Sequence, residues 1–390
     1  MNSPSRRAFM GGGLGMGAVF LAPQGHAAMA SERKLIIIVL RGALDGMSLS
    51  PPVGDPDYGR LRGPIAIPLD EALDIDGHFA LHPKLVTLHG LVRSGQARIA
   101  PAVALPQRIR SHFEAQDLLE SGGARLYEVS TGWLNRALGA GSGTAPVAIS
   151  IGAQEPLILR GPSTVRTWSP GGRGGPDQGR LAAALQELYR GDPLLEPALA
   201  NGLRTQTEAD ALALGAMGRG DARSFAAAAA RFLTDAGGPS VAVLSLDGFD
   251  THAAQGAAEG QLAQRLAGVD AVFDGLREGL GSQWDRSVVI AVTEFGRTAR
   301  MNGTRGTDHG TASTMVLAGG ALKAGGIVGD WPTLADGRLF ENRDLAPTLD
   351  VRSVFKGVLR DHMGVTPAAL ETRVFPGSAP APATPGLIRG

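Results

Sequence analysis

Lys34-Leu-Ile-Ile-Ile-Val-Leu40, followed at once by Arg41-Gly-Ala-Leu-Asp45-Gly46, is the stretch from which the fold is read. An unbroken β-branched and apolar run of this length has no polar face to give to water. It therefore predicts a strand covered on both sides, as in a parallel sheet. Shorter runs of the same kind recur at Ala97–Leu105, Pro146–Ile151, Val241–Leu246, Val288–Val292 and Thr314–Leu317. Helical patterns lie between them. Leu181–Tyr189 spaces its apolar residues by three and four, and Ala222–Leu233 is rich in alanine. Gln261–Leu280 carries Leu262, Leu266, Val269, Phe273, Leu276 and Leu280 as one stripe. Strands alternating with helices predict an α/β fold, a large and mostly parallel sheet with helices on both faces.

The rest of the chain adds organisation. Residues 153–180 are rich in Gly, Pro, Ser and Thr and read as loop with room for a short hairpin. Residues 190–220 read as weakly patterned helix, so a helical and loop insertion is expected at about 153–225. No linker divides residues 31–377, and the Pro/Ala-rich tail from Ser378 to Gly390 is expected to be mobile.

Composition narrows the chemistry. Lys+Arg and Asp+Glu are both 37, giving zero formal charge over 390 residues without basic clusters. Nucleic-acid binding through a positive field is thereby disfavoured. With no cysteine, disulfides, thiolate metal sites and Cys nucleophiles are excluded. The 56 glycines are about twice the usual share and imply many tight turns. Ser5-Arg6-Arg7-Ala8-Phe9 opens a charged segment, followed by a short Gly/Ala/Leu-rich stretch and Ala28-Met29-Ala30. That order reads as a twin-arginine export signal over residues 1–30, too short and glycine-rich for a stable transmembrane helix. The translocase would be a partner during export, and the cleaved protein would be periplasmic or secreted and slightly acidic.

Polar residues gather where the strands end. Asp45 follows the first strand, and Arg110-Ser111-His112 follows the run ending at Leu105. Asp250-Thr251-His252 follows Val241–Leu246, Glu294 follows Val292, and Asp308-His309 precedes Thr314. In an open parallel sheet, ligands bind at the carboxyl ends of the strands. Singly, each segment has an ordinary reading. Asp-Gly is a turn, Glu294 pairs with Arg297, and Ser111 caps a helix with Glu114 as its capping-box partner. Together they place carboxylates and three of the chain's eight histidines at one sheet edge. Such a sulfur-free donor set suits zinc, manganese, iron or magnesium. Of the remaining histidines, His26 lies in the export segment, His78, His82 and His89 fall in or near a loop leading into a helix, and His362 reads as a surface or helix C-terminal residue.

Taken together, these segments resemble a known family. Leu-Arg-Gly-Ala-Leu-Asp-Gly (40–46), Leu-His-Pro (81–83), Arg-Ser-His-Phe-Glu-Ala-Gln-Asp (110–117), Gly-Trp-Leu-Asn-Arg (132–136), Gly-Phe-Asp-Thr-His (248–252), Thr-Glu-Phe-Gly-Arg-Thr (293–298) and Gly-Thr-Asp-His-Gly (306–310) are similar to the twin-arginine-exported bacterial family called domain of unknown function 1501. That family is placed in the alkaline phosphatase and sulfatase superfamily. The resemblance implies an alkaline-phosphatase-like three-layer sandwich and one or two divalent ions, whether Zn, Mn, Mg, Fe or Ca. It implies Asp45 as the ligand from the first strand, Asp250 and His252 as ligands of one ion, and Glu294, Asp308 and His309 as completing the pair. Ser111 would be the nucleophile, with Arg110 or His112 beside the transferred group.

The expected function is metal-dependent hydrolysis of a phosphate or sulfate ester on a small molecule or polymer. The alternative is an exported, non-catalytic binding or matrix protein with a degenerate site. A standard sulfatase is disfavoured, because residues 105–115 hold no Cys and no Ser-x-Pro-x-Arg.

Overall fold

Residues 34–41 form strand β1 of an eight-stranded sheet, and the alternation of its side chains builds the two halves of the core. Leu35, Ile37 and Val39 enter one apolar cluster, and Ile36, Ile38 and Leu40 enter another on the opposite face. The computed structural model describes residues 32–141, 147–152, 154–169, 178–212, 214 and 221–390. The expected export signal over residues 1–30, and parts of the expected insertion, lie outside the described residues.

The other strands are β2 (Leu73–Asp74), β3 (Ala80–Leu81), β4 (Ala97–Ala104), β5 (Ala148–Ile151), β6 (Val165–Trp168), β7 (Val241–Asp247), β8 (Ser287–Val292), β9 (Ser313–Ala318) and β10 (Leu349–Asp350). β2 and β3 pair apart from the main sheet, whose order is β10-β4-β9-β8-β1-β7-β5-β6. β1 pairs in parallel with β7 and β8, β5 with β6 and β7, and β10 with β4. In the main sheet, among the described residues, only β9 runs against its neighbours, β8 and β4. The reason lies in the connection: residues 293–312 contain no helix to carry the chain back across the sheet, so it returns antiparallel. This reversal brings the loop before β9, with Asp308 and His309, to the carboxyl edge of the parallel strands.

Helices cover both faces, giving three layers. On the Leu35 side lie α4 (His112–Ser121), α5 (Trp133–Leu138) and α10 (Val351–Asp361), which follow α1 (Gly46–Leu49), α2 (Tyr58–Arg62) and α3 (Val86–Arg93) in chain order. On the other side α3 packs with α8 (Ala222–Thr234) and α9 (Gln261–Leu280), and every member of the Leu262–Leu280 stripe is buried. Between them in sequence come α6 (Gln178–Leu188) and α7 (Leu195–Ala211). No described helix is long and apolar enough to cross a membrane.

Two expectations change. The loop-like region after residue 153 contributes β6, an edge strand of the main sheet. The tail is packed rather than loose. The ammonium of Lys356, buried in α10, donates to the carbonyls of Ser378 and Ala381 at 2.8 Å each, and Leu387 is fully buried. A buried charge needs such partners, and the tail supplies them beside the Glu371 carboxylate at 2.7 Å.

Candidate metal centre

The site grows from the connection between β8 and β9. Glu294–Thr298 runs antiparallel to Asp308–Thr311, with Gly296 donating to Thr311, Gly310 to Gly296 and Thr298 to Asp308 through backbone bonds of 2.8–2.9 Å. The two segments touch so closely that a Cβ at Gly296 would lie 1.8 Å from the Ala312 carbonyl oxygen, which only glycine permits. The loop after β7 is tied to the same structure, since Thr307 donates its N–H to Thr251 O and Asn302 donates to His252 O. Asp250, His252, Glu294, Asp308 and His309 are thus gathered from segments far apart in sequence. His112, at the first turn of α4, enters from the opposite face.

Three imidazoles meet at one carboxylate. His309 Nε2 lies 3.1 Å from His112 Nε2, 3.0 Å from His252 Nε2 and 3.2 Å from Asp250 Oδ1. His252 Nε2 lies 3.0 Å from Asp250 Oδ1, and His112 Nε2 lies 3.4 Å from Asp250 Oδ2. Donor atoms of His112, Asp250 and His309 all fall within 4.8 Å of one another, a group that could hold a metal ion. Ligands about 2.0–2.1 Å from a tetrahedral ion lie ~3.3 Å apart, so these separations match its edges.

The outer nitrogens explain why the inner ones face each other. His112 Nδ1 donates to Glu294 Oε1 at 2.8 Å, His309 Nδ1 donates to the Arg110 carbonyl at 2.8 Å, and His252 Nδ1 lies 3.3 Å from Asp308 Oδ1. Each oxygen holds a proton on Nδ1 and leaves Nε2 as a lone pair. Lone pairs about 3 Å apart repel unless a cation or proton sits between them. The donor set therefore fits a divalent ion. The hydrogen bond to Glu294 holds the His112 pKa above its ordinary value. Burial works against the Asp250 carboxylate, but the charge and hydrogen bond of Arg297, together with the neighbouring His252 and His112, keep that pKa low. Glu294 behaves alike: burial opposes its charge, yet the bonds from His112, Gly42 and Gln116 keep its pKa low.

Other residues implied as site residues take different roles. Asp45 is fully buried in a salt bridge with Arg62, and its Oδ2 also accepts from Ser48 Oγ at 2.8 Å and Gln255 Nε2 at 2.7 Å. It sits outside the imidazole cluster. Glu294 faces His112 but is engaged at both oxygens, by Gly42 N at 2.9 Å, His112 and Gln116 on Oε1 and by Thr293 Oγ1 on Oε2. It orients an imidazole and stands outside the His112, Asp250 and His309 group that could hold an ion. Asp308 supports His252 and accepts from Asn302 Nδ2 at 3.0 Å, which chiefly holds its pKa low.

Arg110 binds Asp344 and Glu341 with its guanidinium, at 2.6 Å each, and serves the cluster through its carbonyl. Ser111 stands at the N-cap of α4 without a cap bond, so the expected capping box does not form. Its hydroxyl contacts no member of the cluster among the described residues. His112, expected beside the transferred group, joins the cluster itself.

Arg297 pairs with Asp250 at 2.8 Å, not with Glu294. Sequence reasoning assigned no role to Arg62, Gln255 or Asn302, and no motif singles them out. His82 is a core residue, its Nε2 on the Ala257 carbonyl and its Nδ1 accepting from Lys84 N. His362 is at the end of α10 as expected but buried, donating from Nε2 to the Lys34 carbonyl at 2.9 Å.

Solved structures give remote likenesses. The phosphonate monoester hydrolase of Agrobacterium radiobacter is 10% identical over 86% of this chain and 74% of that one, with a TM-score of 0.38. The lipoteichoic acid synthase LtaP of Listeria monocytogenes is 9% identical over 90% and 76%, with a TM-score of 0.37. Ps i-CgsB in complex with k-i-k-neocarrahexaose is 12% identical over 86% and 72%, with a TM-score of 0.39. At these values none of them bears on the chemistry of this site. No curated protein sequence matches the chain. The family model described as protein of unknown function (DUF1501) matches residues 32–374, and the chain belongs to that family.

Proposed function

We propose that this chain is an exported metal-dependent hydrolase of phosphate or sulfate esters. The observation that carries the reading is the meeting of three imidazole Nε2 atoms at Asp250, each Nδ1 held by an oxygen. His112, Asp250 and His309 would hold the ion, with His252 at its rim. A divalent ion so held would polarise an ester oxygen and neutralise the charge that develops on it. The chain's own groups set the geometry. Glu294 fixes the His112 ring, the Arg110 carbonyl fixes that of His309, and Asp308 fixes that of His252. The Asp250 side chain is 42% exposed and that of His252 46%, so an ester can reach them from solvent. Among the described residues the Ser111 hydroxyl makes no hydrogen bond to a base, which favours water as the nucleophile.

The test is to purify the protein, measure bound divalent ions and assay phosphomonoesters, phosphodiesters, phosphonates and sulfate esters. Turnover that disappears on chelation, in His309→Ala and in Asp250→Asn supports the proposal. A protein that retains no divalent ion at micromolar supply overturns it. The engaged Arg110 guanidinium and the unpartnered Ser111 favour a second reading, a metal-holding binding protein without catalysis. Bound ion with no turnover across the panel would decide for that reading.

A further inference from the structure

The carboxylates expected to serve a second ion are already occupied by groups of the chain. Arg297 is 1% exposed; its Nη1 donates to Asp250 Oδ1 at 2.8 Å and its Nε to Thr307 Oγ1 at 3.2 Å. Thr307 Oγ1 donates at 2.9 Å to Gln255 Oε1, and Gln255 Nε2 donates to Asp45 Oδ2. Beyond it stands Arg62, fully buried and paired with the same Asp45 oxygen. A continuous buried chain of side chains thus separates Asp45 from Asp250. Each of these carboxylates faces a guanidinium that cannot lose its proton.

A two-metal clamp holds its ions about 3.5–4 Å apart and commonly needs carboxylate oxygens facing both. Here Asp250 turns Oδ2 toward His112, and its Oδ1, which faces His252 and His309, also accepts from Arg297. Glu294 is engaged at both oxygens, and Asp308 supports His252 and Asn302. The second oxygen of Asp45 is buried without a partner, yet the adjacent Arg62 already balances the one charge of that carboxylate. A divalent ion there would meet a fixed positive charge with no net negative charge to attract it.

We propose that the centre takes one divalent ion, and that Arg297, backed by the Arg62–Asp45 pair, is the permanent cation where a two-metal site would have its second ion. Arg297 acts as a positioning residue: it fixes the Asp250 carboxylate with Oδ1 against His252 and His309 and Oδ2 toward His112, so that the carboxylate serves the imidazole side. This rests on the metal-binding reading above.

The test is metal content per chain. The purified protein is saturated with Zn²⁺ or Mn²⁺, desalted, and analysed by elemental mass spectrometry. One ion per chain is expected in the parent and in Asp45→Asn, and none in His309→Ala. Two ions per chain in the parent overturn the single-ion proposal while leaving the metal reading intact. No bound ion in the parent overturns the metal reading on which the proposal rests. Should Asp45→Asn fail to fold, electron paramagnetic resonance of the Mn²⁺-loaded parent gives the same decision. The hyperfine pattern of an isolated ion is expected, and that of an exchange-coupled pair overturns the proposal.

Discussion

His82 and His362 are buried in the core, whereas His112, His252 and His309 line an open edge of the sheet, and the two sets differ in where their nitrogens point. His82 meets backbone at both nitrogens, and His362 gives its Nε2 proton to the carbonyl of Lys34. In the second set Nδ1 is engaged by an acceptor oxygen, and the Nε2 atoms face one another and the Asp250 carboxylate. A polar group engaged within the chain stabilises the fold, while one left open toward its own kind implies a ligand.

The largest expected effect tests the open set. His309→Ala should abolish stoichiometric metal binding, yet cost the metal-free protein less than about 1 kcal/mol, because the lost contacts are offset by relief of lone-pair repulsion. Metal analysis and chemical denaturation without metal check both halves. A folding loss as large as that of a core histidine would break the contrast.

The engaged set should respond to acid instead. Burial pushes the His362 pKa down to about 4 from an ordinary 6.5. Between those values the unfolded chain binds more protons, so stability should fall as pH drops from 6.5 toward 4 and be level above 6.5. The full swing is about 3 kcal/mol. His362→Gln should flatten the slope in that window, whatever it does to absolute stability. A denaturation series at several pH values reads this directly.

Glu294 links the two sets, being a fully buried acceptor that orients an open imidazole. Glu294→Gln keeps the size but weakens the hold on the His112 Nδ1 proton. Metal affinity should drop by about 10–100-fold, measured by competition with a chelator. No change would mean that His112 is oriented by packing against Phe295, whose ring centroid lies 5.0 Å away.

Much of this was legible in the residues. Apolar runs such as Lys34–Leu40 and Val288–Val292 mark buried strands because no polar residue interrupts them. The rule that ligands gather at strand ends then collects Asp250, His252 and His309. The reversal of β9 was not legible, because it depends on the absence of a crossover helix between residues 293 and 312. The engagement of Asp45 was not legible either. A carboxylate after a strand looks the same whether or not an arginine reaches it, and Arg62 arrives through the packing of α2.

The smallest effect should come from Ser111. Serine at an N-cap ordinarily contributes about 1 kcal/mol by accepting a backbone N–H. Here the side chain makes no such bond, in contrast with Asp350, which caps α10 by accepting from Arg352 N at 2.9 Å and also pairs with the Arg352 guanidinium. Ser111→Ala should therefore change stability by no more than about 0.5 kcal/mol, while Asp350→Ala costs about 1–2 kcal/mol. If the serine variant proves as costly as the aspartate variant, the hydroxyl is engaged in solution and belongs with the groups that hold the fold. If it is silent in stability and metal content but lowers ester turnover steeply, the hydroxyl is open in the same sense as the imidazole Nε2 atoms. Water would then lose its place as the nucleophile to Ser111.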